Sequence, residues 1–258
     1  MASPGFSLDD LPSTSGRLDV LLRCVRAAFL VSHGLRRDTV VYLVLLGGPR
    51  APRTVRVDGA RVRFLRPDER SLAVTMRKVL AEPVEGPGFV EARPGFAVAE
   101  GGLSAVIEDL VSSDAGGGSG AGATAVAGSG AGATAVAGSG AGATAVAGSG
   151  AGADAGAGPM SFFVLEEGGP DVREAKLAEG EPVFFLGDHH GFDSETRARL
   201  EALGAIPLGL GPVSVHADDA VVLVAHELDR RDAAAGNARR AGEGTAQETE
   251  SSSPAHQA

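Results

Sequence analysis

The sequence predicts an α/β fold, and three observations carry that prediction. Short, almost uniformly apolar runs such as residues 39–46 have the composition of strands covered on both faces. Between such runs lie longer stretches whose apolar residues recur every three or four positions, the spacing of amphipathic helices. Toward the end of the chain, the order strand, glycine-rich loop, helix occurs twice. In open α/β sheets, loops at the carboxyl ends of strands are where ligands sit.

Each element follows from local pattern. Over residues 17–33, Leu18, Leu21, Leu22, Val25, Ala28 and Phe29 form a helical stripe that Gly34 closes, with Arg23 and Arg26 three apart on the polar side. Residues 55–57 and 62–65 read as two short strands joined by Asp58-Gly59, a strong tight-turn pair. Asp68 or Glu69 leads into a helix over residues 71–80, which Pro83, Pro87 and Gly88 prevent from continuing. Two extended pieces follow within 89–98, then a helix over 103–110. Residues 161–165 form a strand, and 166–180 a polar excursion. The run 183–186, between Pro182 and Gly187, is a buried strand. Asp193 or Ser194 then caps a helix that Gly204 stops. Residues 205–208 repeat the strand pattern, the turn 209–212 is glycine-rich, and 214–228 form a helix with Val221, Val224 and Leu228 on one face.

Residues 121–130, 131–140 and 141–150 are identical copies of AGATAVAGSG. No side chain there exceeds valine, too little apolar area to offset chain entropy, so residues 112–159 are expected to be a flexible insertion. Its cost to stability should be small, because loop closure entropy grows only logarithmically. Residues 1–111 and 160–230 would then be two parts of one domain. The segment 231–258, poor in large apolar residues, is expected to be a disordered tail.

The single cysteine, Cys24, excludes an internal disulfide framework and suits a reducing compartment. No apolar stretch reaches membrane-spanning length, so the expectation is a soluble cytoplasmic protein with no membrane partner. A net charge of −10 argues by itself against a nucleic-acid partner, yet the charge is unevenly spread. Residues 1–93 hold 15 Arg or Lys against 10 Asp or Glu, and the remainder 8 against 23. Such asymmetry can steer a polyanion to one part of the surface. Arginine, which dominates the basic half, is the better phosphate fork.

Several constellations could carry chemistry. Asp188, His189 and His190 follow one buried strand, and His216, Asp218 and Asp219 open the last helix. A metal site can be drawn from Asp188, His189, His190 and His216, but the spacing matches no metal motif, and no metal is expected. A Ser214, His216, Asp218 triad lacks the nucleophile elbow, and alternate helix residues do not face one another. Capping and turn hydrogen bonds account for these polar residues equally well. Gly187, Gly191, Gly209 and Gly211 lie in or beside loops that end strands, where close approach of ligand or backbone removes a side chain. None forms a dinucleotide or phosphate-loop motif. Leu186, Leu208 and Leu210 would suit an adenine ring.

The segments FSLDDLP (6–12), GRLDVLLRCVRAAF (16–29), RPDERSLAVTMRKVL (66–80), GGLSAVIEDL (101–110), FFLGDHHGF (184–192) and GLGPVSVHADDAVVLVAHELD (209–229) together resemble the archaeal tRNA pseudouridine-54 N1-methyltransferase family of the SPOUT class. The resemblance implies a C-terminal trefoil knot in an open sheet with helices on both faces. It also implies a homodimer, tRNA as substrate, and S-adenosylmethionine as methyl donor. It places Leu186, Gly187, Gly209, Leu210, Val213, Val215, His216 and Ala217 at the donor. Asp10, Arg17 and Asp19 would act at the base, with Asp10 or Asp19 accepting or orienting its N1 proton and Arg17 stabilising charge. Arg23, Arg26 and Arg66 would contact RNA. Related chemistry on rRNA, or a catalytically weakened RNA-binding homologue, is the alternative. In this family a strand and short loop precede the FSLDDLP segment, where this chain has five residues.

Overall fold

The computed structural model describes residues 2–115, 144–147, 160–177, 181–188 and 190–250. The chain opens with a short helix α1 (Leu11–Thr14) and the longer α2 (Leu18–Phe29). A two-stranded hairpin, β1 (Leu30–Val31) and β2 (Gly34–Leu35), leads to β3 (Val40–Leu45), β4 (Arg53–Asp58) and α3 (Glu69–Ala81). Then come β5 (Val90–Arg93), β6 (Phe96–Glu100), α4 (Leu103–Ala115), β7 (Thr144–Ala147) and β8 (Ser161–Leu165). The last part comprises β9 (Pro182–Gly187), α5 (Ser194–Ala202), β10 (Ile206–Leu208) and α6 (Ala217–Glu250).

Eight of these strands form one mixed sheet in the order β10-β8-β9-β7-β3-β4-β6-β5. β10, β8 and β9 are parallel neighbours, whereas β3, β4, β6 and β5 pair antiparallel. β7 runs antiparallel to both β3 and β9, so those two strands share one direction. All six residues of β3 are buried, as its apolar run requires. On β8 and β9 the alternating side chains divide between two cores. Val164, Val183 and Phe185 join the large core that contains α2 and α3. Phe163 and Phe184, stacked with centroids 5.2 Å apart, pack with Val224, Ala225 and Leu228 of α6. Both faces of this part of the sheet are therefore covered.

Most helix boundaries follow the local signals. Asp68 and Asp193 cap α3 and α5 by accepting the backbone N–H of Ser71 (2.8 Å) and Thr196 (2.7 Å). Three expectations need correction. Residues 62–65 are not a strand. The backbone N–H groups of Arg61 and Val62 both donate to the Asp58 carbonyl, winding the chain into a turn, and β4 pairs with β3 and β6 instead. Within the expected flexible insertion 112–159, Ser112–Ala115 complete α4 and Thr144–Ala147 enter the sheet as β7. A sheet ladder is made by backbone groups that every residue carries, so poverty of side chains does not bar a strand. The rest of the insertion, 116–143 and 148–159, lies outside the described residues. Finally, residues 231–250 of the expected disordered tail continue α6. Their richness in Ala, Glu and Arg favours helix. Arg231 also ties the helix to the carbonyls of Val172 (2.6 Å) and Ala175 (2.9 Å). Residues 251–258 lie outside the described residues.

A polar cluster is buried between the sheet and α4. The Tyr42 hydroxyl donates to Asp109 Oδ2 at 2.6 Å, and Arg56 Nη1 donates to both Asp109 oxygens at 3.0 and 2.9 Å. Burial, reinforced by the Asp109 charge, pushes the Tyr42 hydroxyl well above its ordinary range, so it stays a donor. The Arg56 guanidinium also lies 5.2 Å from the centre of the Phe89 ring. Removing the carboxylate would leave a buried cation without its counter-charge. Asp109→Ala is therefore expected to lower stability by about 3 kcal/mol, read from the midpoint of a urea unfolding curve.

Candidate functional site

A cavity of about 1020 Å³ opens at the carboxyl ends of β8, β9 and β10. Its walls come from four pieces of chain. The first turns of α2 supply Arg17, Val20, Leu21 and Arg23; the ends of β8 and β9 supply Leu165 to Gly168 and Leu186 to Asp188. The turn before α5 adds Gly191 and Phe192, and the segment after β10 adds Leu208 and residues 210–218. Leu186, Leu208 and Leu210 are apolar walls, while Arg17, Arg23, Glu166, Glu167 and Asp188 give the cavity a mixed, charged rim.

The α2 side is the more constrained. Arg17 adopts a left-handed backbone conformation (φ +66°), uncommon for a residue with a side chain and characteristic of places where the surroundings enforce it. Its side chain is largely exposed and donates from Nε and Nη2 to Asp19 at 3.2 and 3.4 Å. Asp19 is buried, and Arg23 Nη1 approaches its Oδ2, the oxygen that also accepts from Arg17 Nη2, at 3.6 Å. Arg23 Nε in turn lies 3.7 Å from Asp218 of α6, linking the two helices. Beneath them, burial and then the Asp218 charge push the Cys24 thiol up to about 12, with Arg23 opposing. Cys24 is thus a packed, protonated side chain and not a nucleophile.

The expected site residues fall into two groups. Leu186, Gly187, Leu210, Val213, Val215, His216 and Ala217 all line the cavity, together with Arg17 and Arg23. Asp19 stands behind Arg17 and is not part of the lining. Asp10 is exposed and caps α1, accepting the Ser13 N–H at 3.3 Å; Arg26 is exposed toward the end of α2. Arg66 is exposed beside Phe64, its guanidinium 5.7 Å from the ring centre. Gly209 is buried outside the lining, and a Cβ there would meet the Gly169 carbonyl oxygen at 2.5 Å. Its missing side chain accommodates the neighbouring Gly169 backbone.

Ser214 Oγ donates to Glu167, not to His216, so the drawn triad does not form. Among the described residues no group of three or more His, Cys, Asp and Glu is gathered as metal ligands would be. His189 of the drawn metal set lies outside those residues. Sequence reasoning assigned residues 166–168 to a variable excursion, yet Glu166 and Glu167 form one wall, with Glu166 paired to Arg197 of α5. No local pattern marks them, because their place in the wall depends on β8, the strand that precedes them, ending beside β9 and β10 at the cavity.

Gly187 holds the mouth of the cavity in shape. A Cβ at this position would come within 2.9 Å of the Gly191 backbone, where Asp188 and Gly191 bridge. Gly187→Ala is therefore expected to lower stability by about 1–3 kcal/mol in a urea unfolding experiment, because only backbone movement can relieve the clash.

The family described as SAM-dependent RNA methyltransferase matches residues 1–115 and 147–233. Curated relatives named tRNA (pseudouridine(54)-N(1))-methyltransferase include one from Methanocella arvoryzae, 32% identical over 231 residues, 90% of this chain and 94% of the relative. Another, from Haloferax volcanii, is 33% identical over 229 residues, 88% of this chain and 90% of the relative. A third, from Methanospirillum hungatei, is 33% identical, covering 88% and 89% respectively. The family match takes in every strand and helix that lines the cavity and skips most of the repeat, and on that evidence the chain belongs to the family of SAM-dependent RNA methyltransferases.

Proposed function

We propose that this chain transfers a methyl group from S-adenosylmethionine to N1 of pseudouridine 54 in tRNA. One observation supports this reading most directly: a cavity at the ends of parallel strands has apolar leucine walls on one side and the Arg17, Asp19, Arg23 array on the other. That is the arrangement needed to bring a donor and an anionic acceptor together. The names of the relatives supply the acceptor.

The residues fit such a donor. Leu186, Leu208 and Leu210 offer surfaces for an adenine ring, and residues 213–217 offer backbone groups around it. Val213 and Val215 expose apolar surface at this rim, as residues awaiting a ligand or partner do. Bound there, the sulfonium compound supplies an electrophilic methyl group. Pseudouridine presents an N1–H that uridine lacks. Methylation there would require that proton to pass to solvent through the open cavity, with the Arg17 guanidinium beside the resulting anion, while the donor would give up its methyl group to N1 and leave as a neutral thioether.

Arg17 is positioned to hold the anionic base or its phosphate, and its geometry is set from behind by Asp19. Asp19 is in this view a positioning residue, while Asp10 keeps its cap in either charge state. Much of the rate would come from holding two reactants in line. A paired or stacked base must also be turned out to reach the cavity. Arg23, Arg26 and Arg66 would contribute phosphate contacts. The reading further comprises a SPOUT-type knotted topology and a cytoplasmic homodimer. Val213, Val215, Val222 and Leu223, exposed around the start of α6, supply apolar surface for a second copy.

Incubation with labelled donor and matched tRNAs, followed by nucleoside mass spectrometry, tests the reaction. Methyl transfer to pseudouridine-containing but not uridine-containing tRNA is expected; transfer to both, or to rRNA alone, overturns the assignment. Asp19→Asn at saturating donor should slow transfer by about 10²-fold while leaving donor affinity, measured by calorimetry, unchanged. Asp10→Asn should transfer at the wild-type rate, since asparagine caps a helix as well as aspartate. A collapse of rate in Asp10→Asn with normal stability would make Asp10 the proton acceptor instead.

A further inference from the structure

We infer that Phe64 is a stacking platform for an unpaired RNA base, flanked by arginines and separate from the methyl-transfer cavity. The inference rests on the reading of the chain as an RNA methyltransferase and extends it to a second contact with the same substrate. Phe64 is 70% exposed, the one aromatic side chain among the described residues left so open. An exposed phenyl ring forgoes the gain of burial, and its position is not the result of a loose loop.

The loop beneath it is held from several directions. Val62 and Leu65, on either side of the Arg63-Phe64 pair, are buried in the main core at 2% and 6% exposure. Arg37 Nη1 donates to the carbonyls of Gly59 (3.0 Å) and Val62. The Val62 N–H donates to Asp58 at 2.9 Å, and Gly95 packs so closely that a Cβ there would meet the Val62 nitrogen at 2.4 Å. With its neighbours pointed inward, the ring is presented outward on a preorganised support, which lowers the entropy lost on binding.

The surroundings select the partner. Arg61, Arg63 and Arg66 are exposed within the same six residues, and the Arg66 guanidinium lies against one side of the ring. A nucleic acid calls for a π face surrounded by cations, because its bases stack on aromatic rings while its phosphates pair with arginine. The loop leaves β4 after Asp58, which pairs with Val40 at the start of β3, so it lies at the end of the sheet away from the cavity. A base stacked there belongs to a different part of the RNA from the one being methylated.

The test is direct binding of unmodified tRNA to the full-length chain, alongside methyl-transfer kinetics. Phe64→Ala is expected to raise the tRNA Kd, and KM with it, about tenfold, with kcat and S-adenosylmethionine affinity unchanged. Phe64→Tyr should restore binding, because it keeps the ring, and Phe64→Leu should not, because it keeps only apolar area. Arg66→Ala should reduce the salt dependence of binding by about one counterion. Wild-type tRNA affinity in Phe64→Ala, or equal binding by the Leu and Tyr variants, overturns the platform. Absence of methyl transfer by the unmodified protein would instead strike at the assigned reaction and leave the binding comparison decisive for Phe64.

Discussion

The packing of α2 against α6 is the constraint on which the candidate site depends. The two helices are about two hundred residues apart in the chain, and their contact sets residues 17–23 opposite residues 210–218. Arg23 spans the seam, reaching Asp19 on its own helix and Asp218 on the other. Each of these partly exposed pairs is modest in energy, so the apolar residues beneath do the holding: Leu21, Leu22, Cys24 and Val25 on α2, Ala217 and Val221 on α6. What the charges add is register, fixing which turn of one helix faces which turn of the other.

Two kinds of constraint meet at the cavity and serve different ends. Arg17 is held in the left-handed region with an exposed guanidinium, and the next turn buries the carboxylate that orients it. A strained residue whose side chain is not used for packing is a functional signature. Gly187 and Gly209, by contrast, lack side chains because backbone runs close by, at Gly191 and Gly169. They shape the two loops, and of the two only Gly187 borders the cavity itself.

The sheet divides along similar lines. Its antiparallel half, β3 to β6, buries the Tyr42, Arg56 and Asp109 cluster and the fully buried Arg53, which donates to the carbonyls of Leu80 and Glu82 at the end of α3. These arginines serve structure. Arg17, Arg26 on α2 and Arg61, Arg63 and Arg66 on the loop after β4 lie outside, on the surface. The parallel half, β8 to β10, carries the cavity. β7 joins the halves through backbone ladders on both sides.

Local pattern sufficed where the physics is local. The apolar run of β3, the helical stripe of α2, the caps Asp68 and Asp193, and the strand-ending loops around Gly187 and Leu210 were legible because neighbouring residues in the chain determine them. The joined motifs likewise identified the family, and with it a part of the cavity lining, from Leu186 and Gly187 to residues 213–217 together with Arg17 and Arg23. Tertiary structure decided the rest. Whether Asp19 faces solvent or lies behind Arg17, whether Gly209 makes room for a ligand or for Gly169, and whether 62–65 becomes a strand or a pinned turn that projects Phe64 all depend on segments distant in sequence. The same holds for β7, whose Thr-Ala-Val-Ala composition says nothing of a sheet position until two strands stand on either side with unpaired backbone groups. Periodicity records which face of an element is buried; what lies against that face is settled only when the chain has closed on itself.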